Sequence, residues 1–180
     1  MINPNKHKII ILFAGIALLL LSSNLYGQTS ENTLKAVYME KFSRFITWPG
    51  DKKDEFVITM YGKSPLTESI KQIYAIQKIK GRPVVVKEAN VLADIGSTHI
   101  LYIASERIDN LPMLLNYIQG KPILTISHCE GFSEKGVIIN FFVEQNRLRF
   151  EVNEEALLQS PLQMSFYLLN SARIINSITD

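Results

Sequence analysis

Residues Gly136 to Val152 read Gly-Val-Ile-Ile-Asn-Phe-Phe-Val-Glu-Gln-Asn-Arg-Leu-Arg-Phe-Glu-Val. The pattern predicts two strands joined by a short turn at Glu144 to Asn146. In the first arm, apolar residues occupy both alternating sets of positions, which a strand tolerates only when both of its faces are covered. In the second arm, apolar residues alternate with Arg147, Arg149 and Glu151, which is typical of a strand nearer the edge of a sheet.

Strands and helices alternate along the rest of the chain. Helices are predicted where apolar residues recur every three or four positions behind a capping residue: from Ser30 to Thr47 or Trp48, Leu66 to Gln77, Arg107 to Ile118, Glu154 to Gln159, and a closing helix from Pro161 that includes Phe166, Tyr167 and Ile174. Strands are predicted at Phe56 to Tyr61, Pro83 to Val86, His99 to Ala104 and Ile123 to Ser127. This order predicts a single three-layer α/β domain: a mostly parallel sheet of about six strands with a C-terminal antiparallel hairpin and helices on both faces.

The first 28 residues predict export. Two lysines precede an apolar run from Ile9 to Leu21, which is too short for a membrane span of ~20 residues but suits the core of a signal peptide. Cleavage near Gly27 or Gln28 would leave residues 29–180 as one mature domain in the periplasm. An uncleaved membrane anchor remains the alternative.

The charge balance of the predicted mature chain argues against nucleic acid as a partner. The sequence has 19 Lys and Arg residues and 17 Asp and Glu residues, and removal of the signal peptide takes away two lysines and no acid. A near-neutral chain has no general electrostatic footprint for nucleic acid. Cys129 is the only cysteine, so an internal disulfide is excluded and stability must come from the core.

Motifs for chemistry are weak. His128, Cys129 and Glu130 are adjacent, but neighbours at a strand end point apart, which favours a structural thiol over a nucleophile and leaves an intermolecular disulfide or redox sensing open. The histidines lack metal-ligand spacing, so no metal and no cofactor is expected. Gly62-Lys63-Ser64 lacks the first glycine of a nucleotide-binding loop, which leaves only weak anion binding at that turn.

Two groups of residues are candidates for binding a partner or a ligand. Arg147 and Arg149 share one strand face, where they either hold a phosphate or carboxylate or form a solvated face paired with nearby acids. Trp48 follows Arg44 and Phe45 at the end of the first helix. Its ring either closes one end of the core or presents a partner surface, since Trp and Arg are enriched among interface hot spots.

Several stretches together form a recognisable set. The first, Ala36 to Pro49, is a helix that runs into Arg-Phe-x-x-Trp-Pro. Four others follow in order: Ile123 to Ser127, Gly136 to Phe141, Asn146 to Asn153, and Met164 to Ile174. In these blocks the chain resembles the YfiR family of periplasmic proteins, over about Glu31 to Asn176. The Trp-Pro motif and the Asn-Arg-x-Arg-Phe-Glu-x-Asn block together make the resemblance specific.

The resemblance implies an exported α/β protein that is not an enzyme. Family members of the best-understood type bind the periplasmic sensor part of an inner-membrane diguanylate cyclase and hold it inactive, which keeps cyclic di-GMP and biofilm formation low. An outer-membrane lipoprotein can draw the repressor away. Two departures stand out: Cys129 is alone where those members form disulfides from cysteine pairs, and Lys135-Gly136 replaces a common Gly-Gly pair.

Three functions therefore stay open from the sequence. The first is an exported regulator that inhibits a diguanylate cyclase or a sensor histidine kinase, with Arg44, Phe45, Trp48 and the two hairpin arginines as candidate contacts. The second is a periplasmic receptor for a small anion or nucleotide that uses those arginines. The third is an enzyme centred on Cys129. The lone thiol and the Trp48 region are also compatible with a homodimer.

Overall fold

A seven-stranded sheet dominates the computed structural model, which describes residues 31–176. Its strands are β2 (Phe56–Tyr61), β3 (Val84–Ala89), β4 (Ile100–Ile103), β5 (Leu124–Ser127), β6 (Ile139–Glu144), β7 (Arg147–Asn153) and β9 (Arg173–Ile175). Two short strands, β1 (Ile46–Thr47) and β8 (Gln163–Met164), form a separate antiparallel ribbon. The predicted signal peptide, its cleavage position and the Ser30 cap lie outside the described residues.

The α-helices are α1 (residues 31–44), α2 (Leu66–Tyr74), α3 (Leu111–Ile118), α4 (Glu154–Leu158) and α5 (Phe166–Leu169). The strand order is β3-β2-β4-β5-β6-β7-β9, and every pair of neighbours is parallel except β6 and β7. The predicted α/β class, with a mostly parallel sheet and an antiparallel hairpin, is confirmed.

Helices cover both faces of the sheet, as the pattern of β6 predicts. On the first face, Phe42 of α1 packs on the hairpin, with its ring centroid 5.6 Å from that of Phe141 and 4.8 Å from that of Phe150. On the second face, Leu111 and Leu114 of α3 are fully buried. These two layers form separate hydrophobic clusters on either side of the strands.

The hairpin turn forms where the sequence predicts it. Gln145 and Asn146 have φ angles of 49° and 57°, the left-handed pair that matches the twist of a two-residue hairpin. The second arm lies near the edge of the sheet, as its pattern predicts, but the hairpin does not add the edge strand that this position suggests. β9 adds in parallel outside β7, with Val152 opposite Ile174, and so forms the edge itself.

The predicted closing helix from Pro161 is also wrong. That segment contains β8, the one-turn helix α5 and β9 instead. Ser165 ends β8 and caps α5, since its Oγ accepts the Tyr167 N–H at 3.3 Å. The physical reason is pairing: β1 and the outer edge of β7 both need strand partners, and this segment supplies them.

Other differences concern the ends of elements, and β3 runs to Ala89 rather than ending at Val86. The first helix ends at residue 44, before the predicted Thr47 or Trp48, because Ile46–Thr47 pairs with β8. α2 stops at Tyr74 rather than Gln77, and the helix predicted from Arg107 is a 3₁₀ turn over Ser105–Asn110 that becomes α-helical at Leu111. Pro112 lies in the first turn of α3, where its missing N–H does no harm.

His99 connects three strands at the amino edge of the parallel sheet. Its side chain is 2% exposed, and its Nδ1 accepts the backbone N–H of Val57 at 2.9 Å. The neutral ring therefore carries its hydrogen on Nε2, which lies 3.1 Å from Asp51 Oδ2. The His99 carbonyl oxygen accepts the Leu124 N–H at 2.9 Å and the Trp48 Nε1–H at 3.1 Å. One residue thus links β2, β5 and the segment after α1.

The residues around His99 favour a neutral imidazole ring and an ionised Asp51 carboxylate. The Arg82 guanidinium donates to Asp51 Oδ2 at 2.6 Å, and the His99 ring stacks on Phe56 with centroids 4.5 Å apart. Burial alone would raise the pKa of Asp51, but hydrogen bonds from His99 and Arg82 outweigh it and lower that pKa to about 2. Burial lowers the pKa of His99 below 6.5, although the bond to Asp51 opposes the shift. The folded protein therefore favours a neutral ring beside an ionised carboxylate.

We expect the free energy of unfolding to fall as the pH drops through the ordinary histidine range. The folded-state pKa of His99 is depressed, so around and just below pH ~6.5 the unfolded chain binds a proton that the folded chain does not, and acid favours unfolding. His99→Asn keeps an acceptor near Val57 N–H but cannot titrate. Urea unfolding at about pH 7.5 and about pH 5.5 should show a smaller pH dependence for the variant. An undiminished dependence would contradict the role assigned to His99.

Candidate functional site

The end of α1 presents two of the predicted contact residues to solvent. The Arg44 side chain is 66% exposed, and its Nε donates to Glu40 Oε1 at 2.6 Å on the same helix. That hydrogen bond raises the pKa of Arg44 above its ordinary value. Phe45 is 41% exposed, although the last turn of the helix buries Phe42. The predicted helical pattern is right for Arg44, which faces solvent, and wrong for Phe45, which lies beyond the end of the helix and is exposed. It is also wrong at the start of the helix, where Leu34 is exposed and Lys35 is buried.

The β1–β8 ribbon brings the segment that carries two further aromatic residues next to the backbone of Phe45. The backbone N–H of Ser165 donates to the Phe45 carbonyl oxygen at 2.8 Å, and Phe166 and Tyr167 follow at once along the chain. Phe166 is 70% exposed and Tyr167 is 76% exposed. We call Phe45, Phe166 and Tyr167 the aromatic surface. Large aromatic rings left in water in this way are typical of partner-binding sites.

Sequence reasoning missed Phe166 and Tyr167 as surface residues because it placed them in a long closing helix. A signal for the correct structure was present in Ser165 and in the pair Asn170-Ser171, which bracket only four residues. Ser and Asn favour caps and turns because their side chains bond to nearby backbone groups. In the structure, Ser165 caps α5 and the Ser171 hydroxyl donates to the Tyr167 carbonyl oxygen at 2.9 Å.

Trp48 comes three residues after Phe45 and is only 6% exposed. Its indole meets Phe56 edge-on with centroids 5.3 Å apart, and the Lys80 Nζ lies 5.3 Å from the centre of the Trp48 ring. With the hydrogen bond to His99, these contacts support the interpretation that the ring closes one end of the core. Trp48 can thus shape the chain just after Phe45 even though little of the ring reaches solvent. Its role as a direct contact stays a prediction.

Trp48→Ala should destabilise the protein by about 3–5 kcal/mol, because a buried ring and its hydrogen bond are lost together. Phe166→Ala, which removes an exposed ring, should change stability by less than ~0.5 kcal/mol. Urea unfolding of both variants at neutral pH measures the difference. If Trp48→Ala were as stable as Phe166→Ala, the ring would not be a core element.

The hairpin arginines lie in a second area. Arg149 Nε is 3.0 Å from Glu144 Oε2, and the Arg173 guanidinium donates to Glu144 Oε1 at 2.6 Å. Arg147 is exposed beside them, opposite Glu144 in the strand register. A cleft of about 410 Å³ opens here, between the hairpin and the residues before β9. We call it the arginine cleft.

The predicted partner of these arginines, Glu151 on the same strand face, is not the acid that pairs with Arg149, which is Glu144. Glu151 is 7% exposed and accepts the Asn140 side-chain amide at 3.1 Å. Burial raises the pKa of Glu151, although that hydrogen bond opposes the shift. The guanidinium groups of Arg149 and Arg173 therefore share one carboxylate, Glu144, which leaves a surplus of positive charge at the arginine cleft.

The motifs considered for chemistry do not assemble. His128 Nδ1 hydrogen-bonds with the Tyr102 hydroxyl, and the two rings stack at an interplanar angle of 10°. The partner of this ring nitrogen is therefore Tyr102 and not the half-buried Cys129 thiol. The Lys63 backbone N–H already donates to Glu106 Oε1 at 2.8 Å, so the chain's own carboxylate lies at that turn. Across residues 31–176, no cluster of three or more His, Cys, Asp or Glu side chains is arranged to hold a metal.

Comparison with known proteins identifies one family. The model of the YfiR/HmsC-like family matches residues 32–173, which is most of the chain and includes every element from α1 to the first residue of β9. No curated protein matches the sequence. Within the part of the chain that the structure describes, no helix has the length and apolar character needed to cross a membrane.

Proposed function

The chain belongs to the YfiR/HmsC-like family, and from that premise we propose that it is an exported regulator that binds the periplasmic part of an inner-membrane signalling protein and holds it inactive. The family is regulatory and non-catalytic, and its members are known as periplasmic repressors of diguanylate cyclases. A diguanylate cyclase is accordingly the partner we propose first, with lower cyclic di-GMP output as the consequence. A sensor histidine kinase is the alternative partner.

The observation that carries this proposal is the aromatic surface. Phe45 exposes its ring next in sequence to the cation of Arg44, and Phe166 and Tyr167 expose theirs on the segment that is hydrogen-bonded to Phe45. Aromatic and arginine side chains contribute most of the binding energy in many protein interfaces, because they bury large areas at low entropic cost. The Glu40 carboxylate accepts a hydrogen bond from the Arg44 guanidinium on the surface of the helix, so the position of this cation is partly fixed before a partner binds. We therefore propose Arg44 and Phe45 as direct contacts, together with Phe166 and Tyr167.

Inhibition requires a preference between two states of the partner. A binder with equal affinity for the active and inactive forms shifts nothing, and moving a population from 1% to 99% takes a difference of about 5.5 kcal/mol. A small surface with several aromatic anchors can supply such a difference if only the inactive form presents matching pockets. Release by an outer-membrane lipoprotein then needs only to compete for the same anchors. Homodimerisation stays a prediction.

The experiment is a crosslinking pull-down from intact cells with tagged wild-type protein and Phe166→Ala. The expected result is recovery of an inner-membrane signalling protein by the wild type and a loss of about tenfold or more in the variant, since hot-spot truncations cost ~2 kcal/mol or more. Met113→Ala is the matched control, because Met113 is 63% exposed on α3, on the second face of the sheet. Cyclic di-GMP measured in the same cells should rise with Phe166→Ala and not with Met113→Ala.

Two results would contradict the proposal. Equal recovery by Phe166→Ala and the wild type would remove the aromatic surface from the interface. Recovery of no membrane protein by the wild type would favour the second candidate function.

That second candidate is a receptor for a small anion or nucleotide at the arginine cleft. The surplus of guanidinium groups around Glu144 favours it, because arginine forks match carboxylate and phosphate geometry. Arg149→Gln should then weaken binding of a nucleotide monophosphate by about tenfold, measured by calorimetry, while the pull-down stays intact. Arg44→Gln, which removes an exposed cation elsewhere, is the control and should bind as the wild type does. Equal binding by Arg149→Gln would exclude the cleft.

A further inference from the structure

The connections of the sheet reverse direction between β2 and β4. β2 leads into α2 on the first face, whereas the neighbouring β4 leads through the 3₁₀ turn into α3 on the second face. The chain therefore leaves the carboxyl ends of two adjacent parallel strands in opposite directions. Crevices at such points are where α/β sheets characteristically bind ligands.

A polar cleft of about 240 Å³ occupies this place. The side chains that define this switch-point cleft are Glu31, Asn32, Lys35, Ser64, Tyr102 and His128. They come from the start of α1, the turn after β2, strand β4 and the end of β5, so four separate segments converge on one small volume. The cleft lies at the opposite edge of the sheet from Trp48 and His99.

Two of these side chains are polar groups held deep in the protein. Tyr102 is 1% exposed, and its hydroxyl hydrogen-bonds with His128. Burial raises the pKa of Tyr102 far above its usual range, so the hydroxyl stays protonated. The Lys35 side chain is 6% exposed, and its Nζ is 2.7 Å from Glu31 Oε1. A lysine ammonium is rarely buried without a function or a firm partner.

The unequal burial of Lys35 and Glu31 favours an anion over a cation as the ligand of this cleft. The Lys35 side chain is 6% exposed, whereas that of Glu31 is 40% exposed. A bound cation would have to draw Glu31 away and leave a buried ammonium unpaired, which is costly. A bound anion would instead replace Glu31, whose carboxylate can turn into water at little cost. The remaining lining groups, from Asn32, Ser64 and His128, are uncharged hydrogen-bonding groups.

We propose that the switch-point cleft binds a small organic anion through its carboxylate or phosphate group. Lys35 supplies the counter-charge, the Ser64 hydroxyl and the His128 ring donate hydrogen bonds, and Glu31 competes with the ligand for Lys35. The cleft is smaller than the ~300 Å³ at which sites for drug-sized ligands begin, so the ligand is a compact metabolite. This site is distinct from the aromatic surface and the arginine cleft, and its existence does not depend on the proposed function.

The test is a titration of isotope-labelled protein recovered from the periplasm, followed by NMR, with succinate and inorganic phosphate as probes at constant ionic strength. We expect saturable shifts at the backbone amides of Ser64, Tyr102 and His128. Lys35→Met should weaken binding about tenfold or more, because a charge-assisted hydrogen bond is lost. Glu31→Gln should tighten it by up to about fivefold, because the competing carboxylate is gone.

Lys41→Met is the matched control, since Lys41 is an exposed lysine on the same helix, and it should bind as the wild type does. Should Lys35→Met fail to fold, Glu31→Gln alone decides, because a purely structural ion pair gives no reason for tighter binding. Response to succinate alone, to phosphate alone or to both supports the site and identifies the anionic group. Absence of saturable shifts with both probes, or wild-type affinity in Glu31→Gln, overturns the proposal.

Discussion

One buried imidazole ring sets the geometry of the amino edge of the sheet. His99 accepts from the backbone of β2, faces the carboxylate of Asp51 and receives the indole N–H of Trp48 on its carbonyl oxygen. The bond from Val57 requires a neutral ring, and the guanidinium of Arg82 favours an ionised carboxylate beside it. The Trp-Pro motif therefore has a structural meaning: the indole fastens the segment after α1 to the sheet, and Phe45 is held at the surface just before it.

Local signals predicted much of this fold, and long-range pairing decided what they missed. The apolar run of β2, the Asn146 turn and the Asn153 cap of α4 depend on a few adjacent residues, and all three form as predicted. The segment from Pro161 is different, because its apolar spacing suits a helix in isolation. Its actual form depends on partners more than 20 residues away, such as Ile46 for Met164, and no local pattern contains that information. The exposure of Phe166 was missed for the same reason, and so was the role of His99, which appears only when three strands meet.

The first helix connects two of the three areas to which we assign binding, the switch-point cleft and the aromatic surface. Its start contributes Lys35 to the switch-point cleft, and its end carries Arg44 and Phe45, roughly 14 Å further along at ~1.5 Å per residue. Between them, Met39 and Phe42 are fully buried in the core. A shift at one end of the helix would therefore have to be transmitted through these packed side chains as a rigid-body movement. If both sites are occupied in the cell, this shared element is where their affinities would be linked, and any such effect must be reciprocal.

The β1–β8 ribbon also affects when the domain can form. Ile46 pairs with Met164, and β9 completes the sheet only with its final described residues. A chain made from its N-terminus cannot finish either contact until residues 163–175 have been synthesised, and a contact as distant in sequence as that of Ile46 with Met164 forms slowly. The two aromatic residues between β8 and β9 would then be among the last to reach their places. Such late closure suits a protein predicted to cross a membrane before it folds, because the unfinished chain has no complete domain to unravel on the way.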